Sequence, residues 1–296
     1  MAPLSRRSDS LPVTRRASVS AFLAWRWDGS SLVSHTSGVP LSDRGFRYGQ
    51  HLFESIAVRN GKALLSLEHL ALLDDAARRN GFPISRALSA ALNRFVASAS
   101  LADGMLRIYL TAGEGSPGAA ILHAGCYLSW EPAHFPTATE LKKGFRLILL
   151  KRPCHGNHWG EKSGNYAEHL TAITAARANG ADEGVVLDVK GYAISCAMGN
   201  LLVWLRARNG ILLCTPPVAR GARSGTLLGW VKRNYVVMER NLRPADLKKA
   251  VAMAVTNSRL GVMPASSLDG VSLQDPSLAR TLSDTYLEYH GLLGRS

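Results

Sequence analysis

Several groupings in this sequence hold residue types that could do chemistry. Cys154, His155 and His158 fall within five residues, and thiolate and imidazole donors so close together suit a transition metal. A third and fourth ligand are not evident, and the two histidines stand three apart in a loop of Gly and Asn. The plainer reading is polar loop residues near the mouth of a pocket, with no metal. Asp74–Asp75 and Asp182–Glu183 are acidic pairs, but nothing marks either as a general-acid dyad, and they read as solvated or capping residues. Gly113-Glu114-Gly115-Ser116-Pro117-Gly118 has the glycine content of a phosphate loop without the Lys-Ser/Thr that completes one. It reads as a turn or a mobile active-site loop. Cys126, Cys154, Cys196 and Cys214 form no C-x-x-C pair. They suit neither a disulfide framework nor a zinc site, so a reducing compartment, the cytoplasm, is expected.

The surrounding chain must supply a scaffold for such groups, and it is large enough to do so. Its 296 residues, 46% hydrophobic and 19% charged, allow one large or two smaller domains with a core that needs no disulfide or metal. No apolar run is long enough to span a membrane; Phe145 to Leu150 is of strand length. The net charge of +13 admits a nucleic-acid partner, anionic substrates or solubility alone. Basic residues are scattered rather than striped with aromatics, so nucleic acid is the least favoured of the three. Residues 1 to about 18 are rich in Arg and Ser and nearly free of acids. They overlap in composition with an organelle transit peptide, and the plainer reading is a disordered basic tail.

Short β-branched or aromatic runs bounded by turn residues predict strands at Ser20–Trp27, Leu52–Arg59, Met105–Thr111 and Cys126–Trp130. Helical spacing predicts Ser66–Asn80, stopped by Gly81 and Pro83, and Arg86–Ser98. The part from 19 to 138 therefore reads as a small α+β domain. A second domain is expected over 143–296, with a boundary near 136–143. There Phe145–Leu150 reads as a strand and Ala167–Asn179 as an Ala-rich helix ended by Gly180. Gly184–Asp188, Tyr192–Ser195, Leu201–Leu205 and Gly210–Cys214 read as strands, with hairpin turns at 189–191 and 207–210. Gly225–Arg240 reads as a helix, Asp246–Ala250 as a short helix and Ala252–Thr256 as a strand.

Taken in order, the blocks resemble a known family. They are Asp43-Arg44-Gly45-Phe46-Arg47-Tyr48-Gly49, Leu52-Phe53-Glu54-Ser55-Ile56, Asn60-Gly61-Lys62 and Glu68-His69-Leu70. Then come Glu161-Lys162-Ser163-Gly164-Asn165-Tyr166, Gly180-Ala181-Asp182-Glu183, Gly191 to Asn200-Leu201-Leu202, and Thr215-Pro216-Pro217. Gly221, Gly225-Thr226, Thr256-Asn257-Ser258-Arg259 and Gly261 to Pro264 complete the series. Each alone is weak, but their order and spacing from about Leu41 to the C-terminus are specific. The chain resembles the class IV aminotransferases, the fold type IV pyridoxal-phosphate enzymes that include branched-chain and D-amino-acid aminotransferases and aminodeoxychorismate lyase.

The resemblance implies an α+β fold: a small N-terminal α/β sandwich domain and a larger β-barrel-like C-terminal domain with flanking helices. It implies pyridoxal 5'-phosphate as cofactor, an amino-acid or amino-chorismate substrate, and a homodimer. Lys162 matches the family's Schiff-base lysine. Such an amine must be neutral to attack an aldehyde, so its pKa must be lowered, and once freed it can move the Cα proton. Tyr166 falls one residue short of a family tyrosine near the cofactor. Tyr48, Phe53 and Arg44 fall among positions that line the family's substrate pocket. Gly225-Thr226-Leu227 before a helix fits a backbone cradle for the cofactor phosphate, with Ser258 and Arg259 as a second wall.

Three positions depart from the pattern. The glutamate that pairs with the cofactor ring nitrogen is Ser195 here, and a neutral hydroxyl cannot hold a proton on that nitrogen by charge. The phosphate-binding arginine two positions after His-Leu is Leu72, and leucine offers an anion nothing. The arginine after the phosphate turn is Leu228, and Thr226-Leu227 replaces Ile-Thr. Two readings follow. In one, the cofactor is kept with weaker phosphate contacts and a less protonated ring, and the chemistry is either an aminodeoxychorismate lyase-type elimination or transamination of an amino acid, tilted towards the lyase. In the other, the scaffold is a cofactor-free descendant that binds a small anion.

Overall fold

The computed structural model describes residues 22–98, 100–151 and 160–293. The basic start of the chain and the Cys154, His155, His158 cluster lie outside the described residues.

The first part runs β1 (Leu23–Trp27), β2 (Leu32–Ser34), α1 (Arg44–Tyr48), β3 (His51–Arg59), β4 (Lys62–Ala63), α2 (Ser66–Arg79), α3 (Arg86–Ser98), β5 (Gly104–Thr111) and β6 (Gly125–Pro132). Its strands make one antiparallel sheet in the order β2-β1-β6-β5-β3-β4. Helix α2 covers one face of β3. On that face Leu52, Ile56 and Val58 meet Leu73 and Ala77 of α2, together with Leu88 and Leu92 of α3. Burying each such side chain is worth roughly 1.5–3 kcal/mol, so this face anchors α2 firmly against β3.

The second part runs α4 (Ala138–Lys143), β7 (Phe145–Leu149), α5 (Ala167–Ala178), β8 (Glu183–Leu187), β9 (Ala193–Cys196), β10 (Asn200–Ala207), β11 (Gly210–Thr215), α6 (Thr226–Asn234), β12 (Val237–Glu239), α7 (Pro244–Leu247), β13 (Ala252–Asn257), β14 (Gly261–Leu268), β15 (Val271–Ser272) and α8 (Ser277–Tyr289). The sheet order is β12-β11-β10-β13-β14-β7-β8-β9, with β15 on β14. A tight turn returns β9 beside β10, where Cys196 N–H donates to the Gly199 carbonyl at 2.9 Å. The far end of the sheet is thus brought back to its middle, and the sheet curls.

Strand periodicity divides the second core. Leu201, Val203, Met253 and Val255 point into the curl. Their neighbours Leu202, Trp204, Ala252 and Ala254 point outward and are covered by Leu227, Leu228 and Trp230 of α6 and Tyr286 of α8. The expected α+β architecture with two sheets is what the chain forms.

Two expectations need correction. Gly225–Arg240 is not one helix: α6 ends at Asn234, and β12 follows, pairing parallel with β11. The β-branched and aromatic run Tyr235-Val236-Val237 gains more from sheet pairing than from a further helical turn. The short helix expected at Asp246–Ala250 begins earlier, at Pro244, where proline suits a first turn. Among the described residues no helix is long and apolar enough to cross a membrane.

Candidate active site

A cavity of about 450 Å³ opens between the two sheets, within the usual range of small-molecule sites. Lys162 lines it, and its placement follows from local backbone pairing. The segment carrying it lies alongside the start of β3: Phe53 N–H donates to the Lys162 carbonyl at 2.9 Å, and Gly164 N–H to the His51 carbonyl at 2.9 Å. Gly164 permits this approach, because a Cβ there would sit 2.5 Å from the Gly49 carbonyl oxygen. The Lys162 amine lies 5.0 Å from the Phe53 ring centroid, and Tyr166 meets that ring edge-on at 5.3 Å. Burial pulls the amine down from its usual range to about 8; Glu54 opposes the shift, and Arg223 and Arg107 reinforce it.

Glu54 is the polar member of the apolar row that β3 presents to α2, so it requires partners. One oxygen lies 2.8 Å from Nδ1 of His69, on α2, and the other pairs with the Arg223 guanidinium. Burial alone would raise the Glu54 carboxyl, but Arg223 and the bond from His69 outweigh it and hold it at about 2. Burial lowers His69, which is therefore neutral. Its Nδ1–H then donates to Glu54, which leaves Nε2 as an acceptor. Two hydroxyls converge on that one lone pair, Thr226 Oγ1 at 3.1 Å and Ser258 Oγ at 3.2 Å. Only one proton can be well accepted there, so the other hydroxyl remains able to donate to a ligand.

Thr226 is the first residue of α6, and Ser258 directly follows β13. Gly225 is the N-cap of α6 and offers no side-chain cap, so the first N–H groups of the helix point out unmet by a capping residue. A side chain at 225 would strike Asn200, whose Oδ1 would lie 2.4 Å from the added Cβ. Nearby, the Thr256 hydroxyl lines the cavity, is buried, and has no hydrogen-bond partner among the described residues. An orphaned buried hydroxyl, free helix N–H groups and a depressed lysine fit pyridoxal phosphate, which needs an anion cradle and a neutral amine.

Of the expected site residues, Lys162, Ser195, Tyr166 and Phe53 line this cavity, as do Gly225, Thr226, Leu227, Ser258 and Arg259. Ser195 is buried, and its hydroxyl donates to the Gly199 carbonyl at 2.6 Å. It is neutral, and its proton is already committed. Two residues expected in the pocket, Arg44 and Tyr48, do not line this cavity. Arg44 is buried and donates to the carbonyls of Ala112, Gly113 and Ala119, so it braces the glycine loop instead of facing the cavity. Tyr48 is 43% exposed at the end of α1, with the Arg47 guanidinium over its ring. The braced loop 113–118 lines no part of the cavity. Arg78 and Arg79 pair with Asp74, Asp75 and Glu161 on the outer face of α2. Leu72 lines no part of the cavity, and Leu228 is buried beneath α6.

Among the lining groups not singled out as site residues from the sequence are Glu54, His69, Arg107, Arg223 and Thr256. A lone carboxylate in the apolar run LFESIAV and a histidine on a helix face were the available signals for the first two. Arg107 and Arg223 carried none, since exposed arginines are ordinary.

The model of the family described as amino-transferase class IV matches residues 51–268. A putative branched-chain-amino-acid aminotransferase of Methanocaldococcus jannaschii is 25% identical over 82% of this chain and 87% of its own length. A bifunctional aminodeoxychorismate lyase / D-amino acid transaminase of Mycobacterium tuberculosis is 25% identical over 83% and 92%. The crystal structure of 4-amino-4-deoxychorismate lyase from Pseudomonas aeruginosa superposes with a TM-score of 0.74 at 28% identity, covering 90% of this chain and 98% of that one. With the match running through the strands and turns that build the cavity, the chain belongs to the class IV aminotransferases.

Proposed function

We propose that this chain is a pyridoxal-phosphate enzyme that carries out an elimination on an anionic amino-acid or amino-chorismate-type substrate. The observation that carries this reading is the Lys162 amine, half-buried in the cavity and lowered to about 8. A usable fraction is therefore neutral near pH 7, as attack on an aldehyde requires. Bound on Lys162, the cofactor would supply an electron-withdrawing ring beside the substrate's Cα. The protein's own part is to hold and to move protons. Backbone N–H groups of Thr226 and Leu227, with the Ser258 and Thr256 hydroxyls, would hold the phosphate. Lys162 Nζ, once released, would take the Cα proton and later return one. Arg107 and Arg259 line the cavity and favour a substrate carboxylate. Ser195 lines the cavity as a neutral hydroxyl and would supply no negative charge to hold a proton on the cofactor's ring nitrogen, which supports elimination over rapid amino-group exchange. The relatives named as aminodeoxychorismate lyases support the same reaction class. The homodimer that the family resemblance implies belongs to this reading, and the exposed Leu41 and Phe46 beside and on α1 support it.

The test is an absorption spectrum before and after adding pyridoxal phosphate. The expected result is a band in the visible, fixed covalently by borohydride in the wild type and absent in Lys162→Ala. Turnover without an added keto acid separates elimination from transamination, because a transaminase stalls without an acceptor. A colourless protein that takes up no cofactor would defeat the proposal.

A further inference from the structure

We infer that Arg223 binds the cofactor phosphate, in place of the arginine that the family pattern puts elsewhere. The inference rests on the pyridoxal-phosphate reading and adds a residue to it. At position 72 the chain has leucine, which lines no part of the cavity, and at 228 a leucine buried beneath α6. The cradle at the start of α6 thus lacks both of the family's arginines, and Arg259, beside Ser258, already gives one of its donors to the His134 carbonyl at 3.2 Å. Arg223 stands two residues before the Gly225 cap, so its side chain emerges at the rim of that helix start. Its backbone is pinned there, the Arg223 carbonyl accepting from Asn200 Nδ2 at 2.7 Å.

The guanidinium lines the cavity and reaches Glu54 through Nη2. Glu54 holds His69, and His69 meets both cradle hydroxyls, Thr226 and Ser258. Arg223 is therefore joined to the anion site through two intervening side chains. A guanidinium carries five N–H donors in a planar fork, so a bond to one carboxylate oxygen leaves donors for a second anion. Among the described residues Glu54 is the only carboxylate in ion-pair contact with Arg223. Glu54 is then the hinge of the arrangement: it fixes the fork's orientation before any ligand arrives. An arginine at 223 supplies the site with a positive charge that the leucines at 72 and 228 do not.

The experiment compares two ligands that differ only in the phosphate. Full-length protein stripped of cofactor is titrated with pyridoxal phosphate and, separately, with pyridoxal, reading the absorption change. Arg223→Gln is expected to weaken pyridoxal phosphate by about 10- to 100-fold, the size of one charge-assisted contact. Its affinity for pyridoxal should change by less than about threefold. Arg223→Lys, which keeps the charge and loses the fork, should fall between. Melting curves check that both variants fold. If both ligands weaken alike in both variants, the arginine acts only through Glu54 and Lys162, and the inference is overturned. Unchanged pyridoxal-phosphate binding in Arg223→Gln overturns it too, while leaving the enzyme reading intact. A wild type that takes up neither ligand removes that reading and this one with it.

Discussion

Lys162 and Glu54 set each other's charge, and both predictions at the residue scale follow from that. With its amine lowered to about 8, Lys162 is cationic below that value and neutral above it. The rate at which added pyridoxal phosphate becomes fixable by borohydride should rise with pH through about 8 and then level off. A profile rising only near the ordinary lysine value would place the amine in water. Glu54 works in the opposite direction, since its carboxylate favours the charged amine. Glu54→Gln should therefore move that profile to lower pH. The same change leaves Arg223 without its buried counter-charge, at a cost of about 3–5 kcal/mol, readable in urea unfolding. Glu54 is held at about 2 when folded, against 4.5 for the free group. Its ionisation thus stabilises the fold fully above about pH 4.5, and that contribution is lost as pH falls through about 2. The lysine was legible in the sequence because a continuous motif surrounds it. Its electrostatic setting was not, because Glu54, His69 and Arg223 come from β3, α2 and the segment before α6, and no spacing rule links them.

At the scale of elements, glycine decides how closely the Lys162 segment can approach β3. A Cβ at Gly164 would lie 2.5 Å from the Gly49 carbonyl oxygen and as close to the His51 ring. Gly164→Ala should push the segment off β3, destabilise the fold by about 1–3 kcal/mol, and return the Lys162 profile towards higher pH as water reaches the amine. Gly229, inside α6, is the contrast: a Cβ there would meet nothing closer than 3.6 Å, the tip of Arg233. Gly229→Ala should stabilise by up to about 1 kcal/mol in thermal melts. If both alanines behaved alike, backbone approach would not be what positions Lys162. Most strands and the helices α2, α3 and α5 were readable from periodicity, because one face of each meets a core. The end of α6 was not. Val231 and Tyr235 keep helical spacing, and only the pairing of β12 with β11, a tertiary contact, settles where the helix stops. The last helix, α8, buries Ala279, Leu282, Ser283 and Tyr286 at helical spacing. Its signal was present in the sequence, but the serines and threonines diluted it.

Across the whole molecule, the cavity belongs to neither sheet alone. Phe53, Glu54 and Arg107 come from the first sheet; Ser195, Asn200 and Thr256 come from the second, with Lys162 on the segment laid against β3. A ligand seated there touches both, so it should tie their unfolding together. Binding to the folded state alone adds about 2.7 kcal/mol when the ligand is at one hundred times its dissociation constant. Scanning calorimetry should therefore show pyridoxal phosphate raising the melting temperature by several degrees, with any separate melting of the two sheets drawn into one transition. Lys162→Ala should show a smaller rise at the same ligand concentration, since the cradle remains but the covalent link does not. With a net charge of +13, the surface also adsorbs polyanions, which raises melting temperatures slightly. Inorganic phosphate at equal concentration separates the two effects. It shares the charge but cannot bridge from the α6 start to Lys162, so it should stabilise far less and leave the shape of the transition unchanged. Equal stabilisation by phosphate and by pyridoxal phosphate would mean that the cavity does not join the sheets through its ligand.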